Sequence, residues 1–257
     1  MRIAVCMKAV VDPQARIEVD GDGNPRQDQL RYEVNEYDLY AVEEAIRLTD
    51  DGAGEVTVIS LGDDSAVQGL RKGLAMGAAD AIHVDCDPNT LDANGVAQML
   101  AAALRDGEYD LVLAGVESVD LGGSQVGVLL AEALGFASTT LVVGTAAPVD
   151  GAMQVRRELE GGEHATVEIQ MPAVLTIQSG INEPRYPSLK GIMAAKRKEL
   201  AVKSPEDIGF ATLPEARVVA LGMATPPARE LARMIEGSAE EAATELIRIL
   251  REEEKAL

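Results

Sequence analysis

The chain has 257 residues and a mass of 27.1 kDa, with 47% apolar and 26% charged residues; this is enough to bury a sizeable core as one large or two small domains, and it excludes a disordered chain. The formal net charge of −20, from 43 acidic against 23 basic residues, disfavours sequence-independent binding of nucleic acid, which needs Lys and Arg to neutralise phosphates. With 3% aromatic residues and no Trp, stacking platforms for bases or flavin rings are scarce.

The amino terminus enters an apolar run at once, Ile3-Ala4-Val5, and lacks the zones of a secretory leader. No stretch approaches the ~18 uninterrupted apolar residues of a membrane span, so a cytoplasmic location without a transmembrane segment is expected. Strands are predicted at Ile3 to Met7, Val56 to Leu61, Ala81 to Val84, Asp110 to Gly115 and Thr139 to Val143. Between them fall helical patterns: one capped by Asn35 with Tyr37, Ala41, Ala45 and Leu48 on one face, then Ser65 to Met76, Ala93 to Leu104 and Ser124 to Leu134. Continuous apolar strands separated by helices read as an α/β domain, a parallel sheet covered on both faces.

From Met153 to Ile169 the pattern changes to alternation around Glu160-Gly161-Gly162-Glu163, which predicts an appended β-hairpin over 153–169. A further apolar run, Ala173 to Ile177, leads into Gly180 to Pro187, whose prolines forbid a helix or central strand there. Lys203 to Arg229 is rich in Pro and Gly without clear periodicity. Ala239, Ala242, Ala243, Leu246, Ile247 and Leu250 then form the apolar face of a final helix. A division into 1–202 and an extended arm, 203–257, follows; such an arm often packs on a partner.

No GxxxxGK[ST] loop is present, and no GxGxxG follows the first strand. Cys6 and Cys86 form no CxxC and no zinc spacing with His83 and His164; both cysteines read as buried small hydrophobes, and neither catalytic nor metal-ligating residues are expected. Two strand-to-helix features remain. Asp120-Leu121-Gly122-Gly123-Ser124-Gln125-Val126-Gly127 places glycines and free amides where a phosphate binds a helix start, or is simply a Gly-rich turn with Ser124 as N-cap. Asn35-Glu36-Tyr37-Asp38 is a second wall of such a pocket, or a capped helix with acids in its first turn. A third feature is the segment Arg185 to Lys198, which holds Arg185, Lys190, Lys196, Arg197 and Lys198 and no acid. That reversal of sign suits an acidic partner or a phosphate, or is a solvated basic helix end.

Asn35 to Ala45, Gly73 to Asp80, the 120–127 turn and above all Ile181-Asn182-Glu183-Pro184-Arg185-Tyr186-Pro187-Ser188-Leu189 with Ile192-Met193-Ala194-Ala195-Lys196 closely resemble the beta subunits of electron transfer flavoproteins. The resemblance covers nearly the whole chain. It implies an adenine-nucleotide alpha hydrolase-like fold and a heterodimer with an alpha subunit that carries the redox FAD. It also implies a nucleotide in this chain, AMP in ordinary carriers and a second FAD in electron-bifurcating ones. Carried over position by position, the pocket is Cys6, Asn35, Glu36, Tyr37, Asp38, Leu61, Gly115, Asp120, Gly122, Gly123, Ser124, Gln125, Val126 and Gly127. Leu189 matches the apolar anchor of a recognition loop, 182–198, that docks into dehydrogenases; Arg185, Lys190, Ile192, Met193, Lys196, Arg197 and Lys198 surround it.

Ser124 to Gly127 and Ile235 to Ala242 look closer to the bifurcating members, which favours FAD over AMP here. The usual Asp-Gly-Asp-Thr start of the turn reads Asp120-Leu121-Gly122-Gly123, and Val116-Glu117-Ser118 replaces a basic-Gln-Ala lead. The resemblance implies an electron carrier linking acyl-CoA dehydrogenase-type flavoenzymes to a quinone- or ferredoxin-linked oxidoreductase. The alternatives are a flavin-free adenine-nucleotide module resembling stress sensors, and an enzyme hydrolysing an adenylate bond, against which stands the scarcity of His and Cys.

Overall fold

The structure is a computed structural model that describes residues 1–26, 30–50, 52, 54–227 and 232–256. Its first strand, β1 (Arg2–Cys6), is buried after Arg2 and points Ile3 and Val5 into one core and Ala4 and Cys6 into another, as the two-residue period of a strand dictates. A short antiparallel pair follows, β2 (Ala9–Val11) with β3 (Tyr32–Val34). Then come α1 (Glu36–Thr49), β4 (Glu55–Gly62), α2 (Asp64–Met76), β5 (Asp80–Asp85), α3 (Ala93–Leu104), β6 (Leu111–Gly115) and α4 (Val126–Leu134). The chain continues through β7 (Ala137–Thr145), β8 (Ala152–Glu158), β9 (His164–Gln170), β10 (Ala173–Ile177), α5 (Leu189–Arg197), β11 (Ala201–Lys203) and α6 (Ala239–Arg248).

Nine of these strands form one sheet in the order β11-β5-β4-β1-β6-β10-β7-β8-β9. The pairings from β11 to β7 are parallel, and β8 and β9 add the predicted hairpin antiparallel to β7. Helices α1 and α2 cover one face through Val42, Ile46, Leu70 and Leu74; α3 and α4 cover the other through Met99, Leu100 and Leu130. Each such side chain contributes about 1.5–3 kcal/mol of burial. This is the α/β architecture expected from alternating strands and helices, with an open mixed sheet.

Three short strands carry no sequence signal of their own. β2, β3 and β11 are three residues each, below the length at which alternation becomes readable. Helix α4 also starts later than expected: Ser124 sits outside it with a φ of 50°, so it is not the N-cap. Gly127 inside α4 is required by packing, because a Cβ there would collide with Thr176 Cγ2 on β10.

The chain after β11 runs largely exposed over the surface. Arg217 N–H donates to Asp92 Oδ2 at 2.8 Å and Met223 N–H to Gly23 O at 2.9 Å. Arg229, at the end of the predicted extended stretch, lies outside the described residues. Ser238 and Glu241 form a reciprocal capping box at the start of α6, yet no residue of this helix is buried.

Strand order sets the location of a site. From β1 the chain crosses by α1 to β4 on one side, whereas β6, reached by α3, lies on the other. In open α/β sheets ligands bind beyond the carboxyl ends of the strands where the winding reverses, which here is the crevice position at the ends of β1 and β6.

Candidate nucleotide site and basic segment

Two side chains from the start of α1 organise this crevice. Asp38 is buried; its Oδ2 accepts from Lys8 N–H just beyond β1 at 2.7 Å, and its Oδ1 accepts from Gly115 N–H at the end of β6 at 3.0 Å. Asn35, 1% exposed, holds the N-cap position of α1 without capping it. Its amide instead spans the loop after β6, donating to Glu117 O at 2.8 Å and Asp38 Oδ1 at 3.0 Å and accepting from Val119 N–H at 3.1 Å. Removing either side chain would leave partly buried amides without their acceptor, each costing at most about 1–3 kcal/mol.

Burial pushes the Asp38 carboxyl up to about 7, against the opposing pull of its hydrogen bonds from Asn35, Lys8 and Gly115. Cys6, at the end of β1, is pushed up to about 12 by burial first and by Asp38 second. It is therefore a neutral, apolar wall and no nucleophile. Leu61 is another buried wall, at the end of β4, where Ser60 donates to Met7 O at 2.7 Å. His83 is structural: its Nε2 lies 2.8 Å from Gly62 O, joining β5 to the end of β4.

The 120–127 turn follows the loop that leaves β6. Gly122 and Ser124 both adopt left-handed backbone, with φ of 57° and 50°, and residues 122–125 are exposed. A Cβ placed on Gly123 would meet nothing within 4 Å. Helix α4 then begins at Val126 behind Gln125 with no side-chain cap, which leaves its first amides, at the positive end of its dipole, without a side-chain acceptor. Left-handed and right-handed residues in succession, here Ser124 and Gln125, are the backbone pattern from which anion-binding concavities of N–H groups are built.

Sequence reasoning overlooked two charged members of the site. Lys8 Nζ donates to both carboxylate oxygens of Asp120, at 2.8 and 2.9 Å, and to Ser118 Oγ at 3.2 Å. Glu117 Oε2 accepts from Ser124 Oγ at 3.0 Å. Lys8 stands at a strand's carboxyl end, which was the available signal; Glu117 showed only as part of the departure from the family's basic-Gln-Ala lead, and its bond to Ser124 is fixed by the fold of the loop. Glu36 is exposed and Tyr37 half-buried on the first turn of α1. Glu36 also lines a cavity of about 340 Å³ with Val10, Asp12, Pro13, Gln14, Glu33, Val34 and Val119. A cavity of about 570 Å³ under the β8–β9 hairpin shares none of these residues.

The basic segment is a separate surface. Ser188 caps α5 by accepting from Gly191 N–H at 3.0 Å. Gly191 permits close approach to α2, since a Cβ there would lie 2.6 Å from Ala75 O. Leu189 is 78% and Tyr186 98% exposed, with Ile192, Met193, Lys190, Lys196 and Arg197 also on the surface. Arg185 and Lys198 are committed within the chain. The Arg185 guanidinium lies 2.8 Å from Glu43 and 3.3 Å from Asp50, and the Lys198 ammonium donates to the carbonyls of Ala78 and Ala79. Among the described residues no cluster of His, Cys, Asp and Glu could hold a metal ion, and no helix is long and apolar enough to cross a membrane.

A family described as "Electron transfer flavoprotein domain" matches residues 27–208. Curated relatives named electron transfer flavoprotein subunit beta are similar over nearly the whole chain. That of Bacillus subtilis is 33% identical over 100% of both chains. That of Syntrophomonas wolfei is 38% identical over 96% of this chain and 94% of its own, and the human protein 33% identical over 89% and 90%.

Proposed function

The chain belongs to the electron transfer flavoprotein family, among its beta subunits, and on that premise we propose that its crevice holds an adenine nucleotide within an electron-carrying heterodimer. The observation that carries this reading is the 120–127 turn, with two left-handed residues leading into an uncapped helix start. Its amides suit phosphate oxygens, while Cys6, Leu61 and Tyr37 supply apolar walls. Asn35, Asp38 and Gly115 hold the loop that carries the turn.

The nucleotide is FAD rather than AMP, an assignment supported by the bifurcating character of Ser124 to Gly127. When bound, the flavin supplies the redox chemistry. The chain's own residues bind, orient and exclude water, and none performs a covalent step. The alpha subunit carries the other FAD. Helix α6, capped but unburied, packs on that subunit together with the arm.

Leu189, Ile192 and Met193, ringed by Lys190, Lys196 and Arg197, form the surface that docks acyl-CoA dehydrogenase-type flavoenzymes. Electrons pass onward to a quinone- or ferredoxin-linked oxidoreductase. Cytoplasmic operation belongs to the same reading, in keeping with two buried free cysteines.

Co-expression with the alpha subunit tests the carrier role. The reading expects a stable yellow heterodimer with a flavin absorption spectrum; a colourless, stable monomer overturns it and leaves a flavin-free nucleotide module.

A further inference from the structure

Acids in the middle of a helix normally face water. Glu43 and Glu44, consecutive in α1, are 5% and 7% exposed. Both are covered by the irregular segment that precedes α5. Glu43 holds Arg185 three ways, accepting from its backbone N–H at 3.1 Å, its Nε at 2.8 Å and its Nη2 at 3.0 Å. Glu44 holds Asn182, whose Nδ2 donates to Glu44 Oε2 at 2.9 Å and to Tyr40 O at 3.0 Å, while its Oε1 accepts from Thr145 Oγ1 at 2.6 Å.

These bonds matter because of what the segment cannot do for itself. Pro184 and Pro187 remove backbone donors and forbid regular structure. Beyond it, the carboxyl end of α5 has its own anchor: Arg71 donates to the carbonyls of Ala195 and Lys198, and Ala195 is buried. The amino end of α5, which carries Leu189, rests on α2 at Gly191, and the segment that leads into it is held by the α1 acids. Leu189 follows Arg185 by four residues, at most about 14 Å of extended chain, so Arg185 fixes the path by which the chain reaches Leu189 and the α2 contact at Gly191.

We infer that Glu43 and Glu44 are positioning residues for docking, which through Arg185 and Asn182 set where Tyr186 and Leu189 stand on the surface. The inference rests on the docking role of α5 proposed above. Glu43 lies beneath the segment and has almost no surface of its own, so an effect of changing it on partner recognition passes through Arg185. The bidentate, charge-assisted geometry gives that connection direction as well as strength.

The test uses the heterodimer with its own alpha subunit, an acyl-CoA dehydrogenase with its acyl-CoA as electron donor, and varied heterodimer concentration. Glu43→Gln is expected to raise the KM for the heterodimer roughly tenfold, the scale of one lost charge-assisted bond, with kcat and released nucleotide unchanged. Arg185→Lys, which keeps the charge and loses the fork, falls between wild type and Arg185→Met. The double variant Glu43→Gln/Arg185→Met is no worse than Arg185→Met alone, because the two act as one unit. A wild-type KM in Glu43→Gln overturns the inference. So does a parallel loss of nucleotide, kcat and thermal stability, the signature of a merely structural pair. Leu189→Ala is measured alongside: an unchanged KM there removes the docking reading itself, whereas a raised KM there with none in Glu43→Gln removes only the positioning role.

Discussion

Asp38 stands where a side chain on Gly115 would otherwise go. A Cβ at position 115 would collide with Asp38 Oδ1 and lie 2.7 Å from Tyr37 Cβ, while the same Oδ1 accepts the Gly115 amide at 3.0 Å. The ends of β1 and β6 are thus joined through one carboxylate, and the turn that follows β6 is hung from it. Gly115→Ala is expected to cost about 2 kcal/mol through overpacking and loss of that bond, read by urea denaturation. It should also lower the nucleotide recovered from the heterodimer, which a loss of global stability alone would not do under native conditions.

The Asp38 carboxyl also fixes a pH dependence. Its folded value, pushed by burial up to about 7, exceeds the ordinary 3.8, so between these values the folded chain binds more protons than the unfolded one. Stability from this group therefore falls as pH rises from about 4 to about 7. Denaturation of wild type and Asp38→Asn across that range should give curves that diverge, wild type losing stability relative to the variant toward pH 7. A constant difference would show that Asp38 does not titrate there.

Lys8 and Asp120 form a partly exposed pair at 2.8 Å, a class worth at most about 1 kcal/mol. Neither Lys8→Met nor Asp120→Asn should alter the melting temperature by more than a few degrees. Nucleotide retention should separate them: Lys8→Met weakens it and flattens its salt dependence, because the crevice loses a cation, whereas Asp120→Asn leaves it equal or stronger. Equal losses in both variants would reduce the pair to a brace for the turn.

Leu189 contributes little to folding, being 78% exposed. Leu189→Ala should leave stability and nucleotide content unchanged and slow electron transfer from an acyl-CoA dehydrogenase about tenfold, the scale of a lost apolar anchor. Stopped-flow bleaching of the dehydrogenase-reduced flavin measures this directly.

Helix α6 buries none of its residues, and the proposed heterodimer gives its apolar face the alpha subunit to cover it. Removing residues 232–257 should weaken association with the alpha subunit at least tenfold in sedimentation or titration experiments, with the parallel sheet unaffected by circular dichroism. Undiminished association would confine the arm to the surface of this chain.

What was legible in the chain follows from the range of each interaction. β1, β4, β5, β6 and β10 are apolar runs that declare themselves locally, as does the β8–β9 hairpin through its alternation. The turn before α4 was legible in its glycines, but Ser124 resembled an N-cap because Ser precedes an apolar run; its left-handed backbone and bond to Glu117 are properties of the folded loop. Asn35 and Asp38 were visible as a capped helix start. Their real partners, Lys8, Gly115, Glu117 and Val119, lie 30 to 84 residues away, beyond any spacing rule. The sign of the basic segment was equally plain. That Arg185 and Lys198 turn inward depends on Glu43, Ala78 and Ala79, which only the fold brings beside them.

The most direct measurement is the nucleotide released per heterodimer on denaturation, separated and quantified as FAD and AMP. Two FAD and no AMP are expected, with the occupancy of one FAD falling selectively when Gly115→Ala disturbs the crevice. One FAD with no second nucleotide would contradict the account of the crevice altogether, and one FAD with one AMP would contradict its choice of occupant.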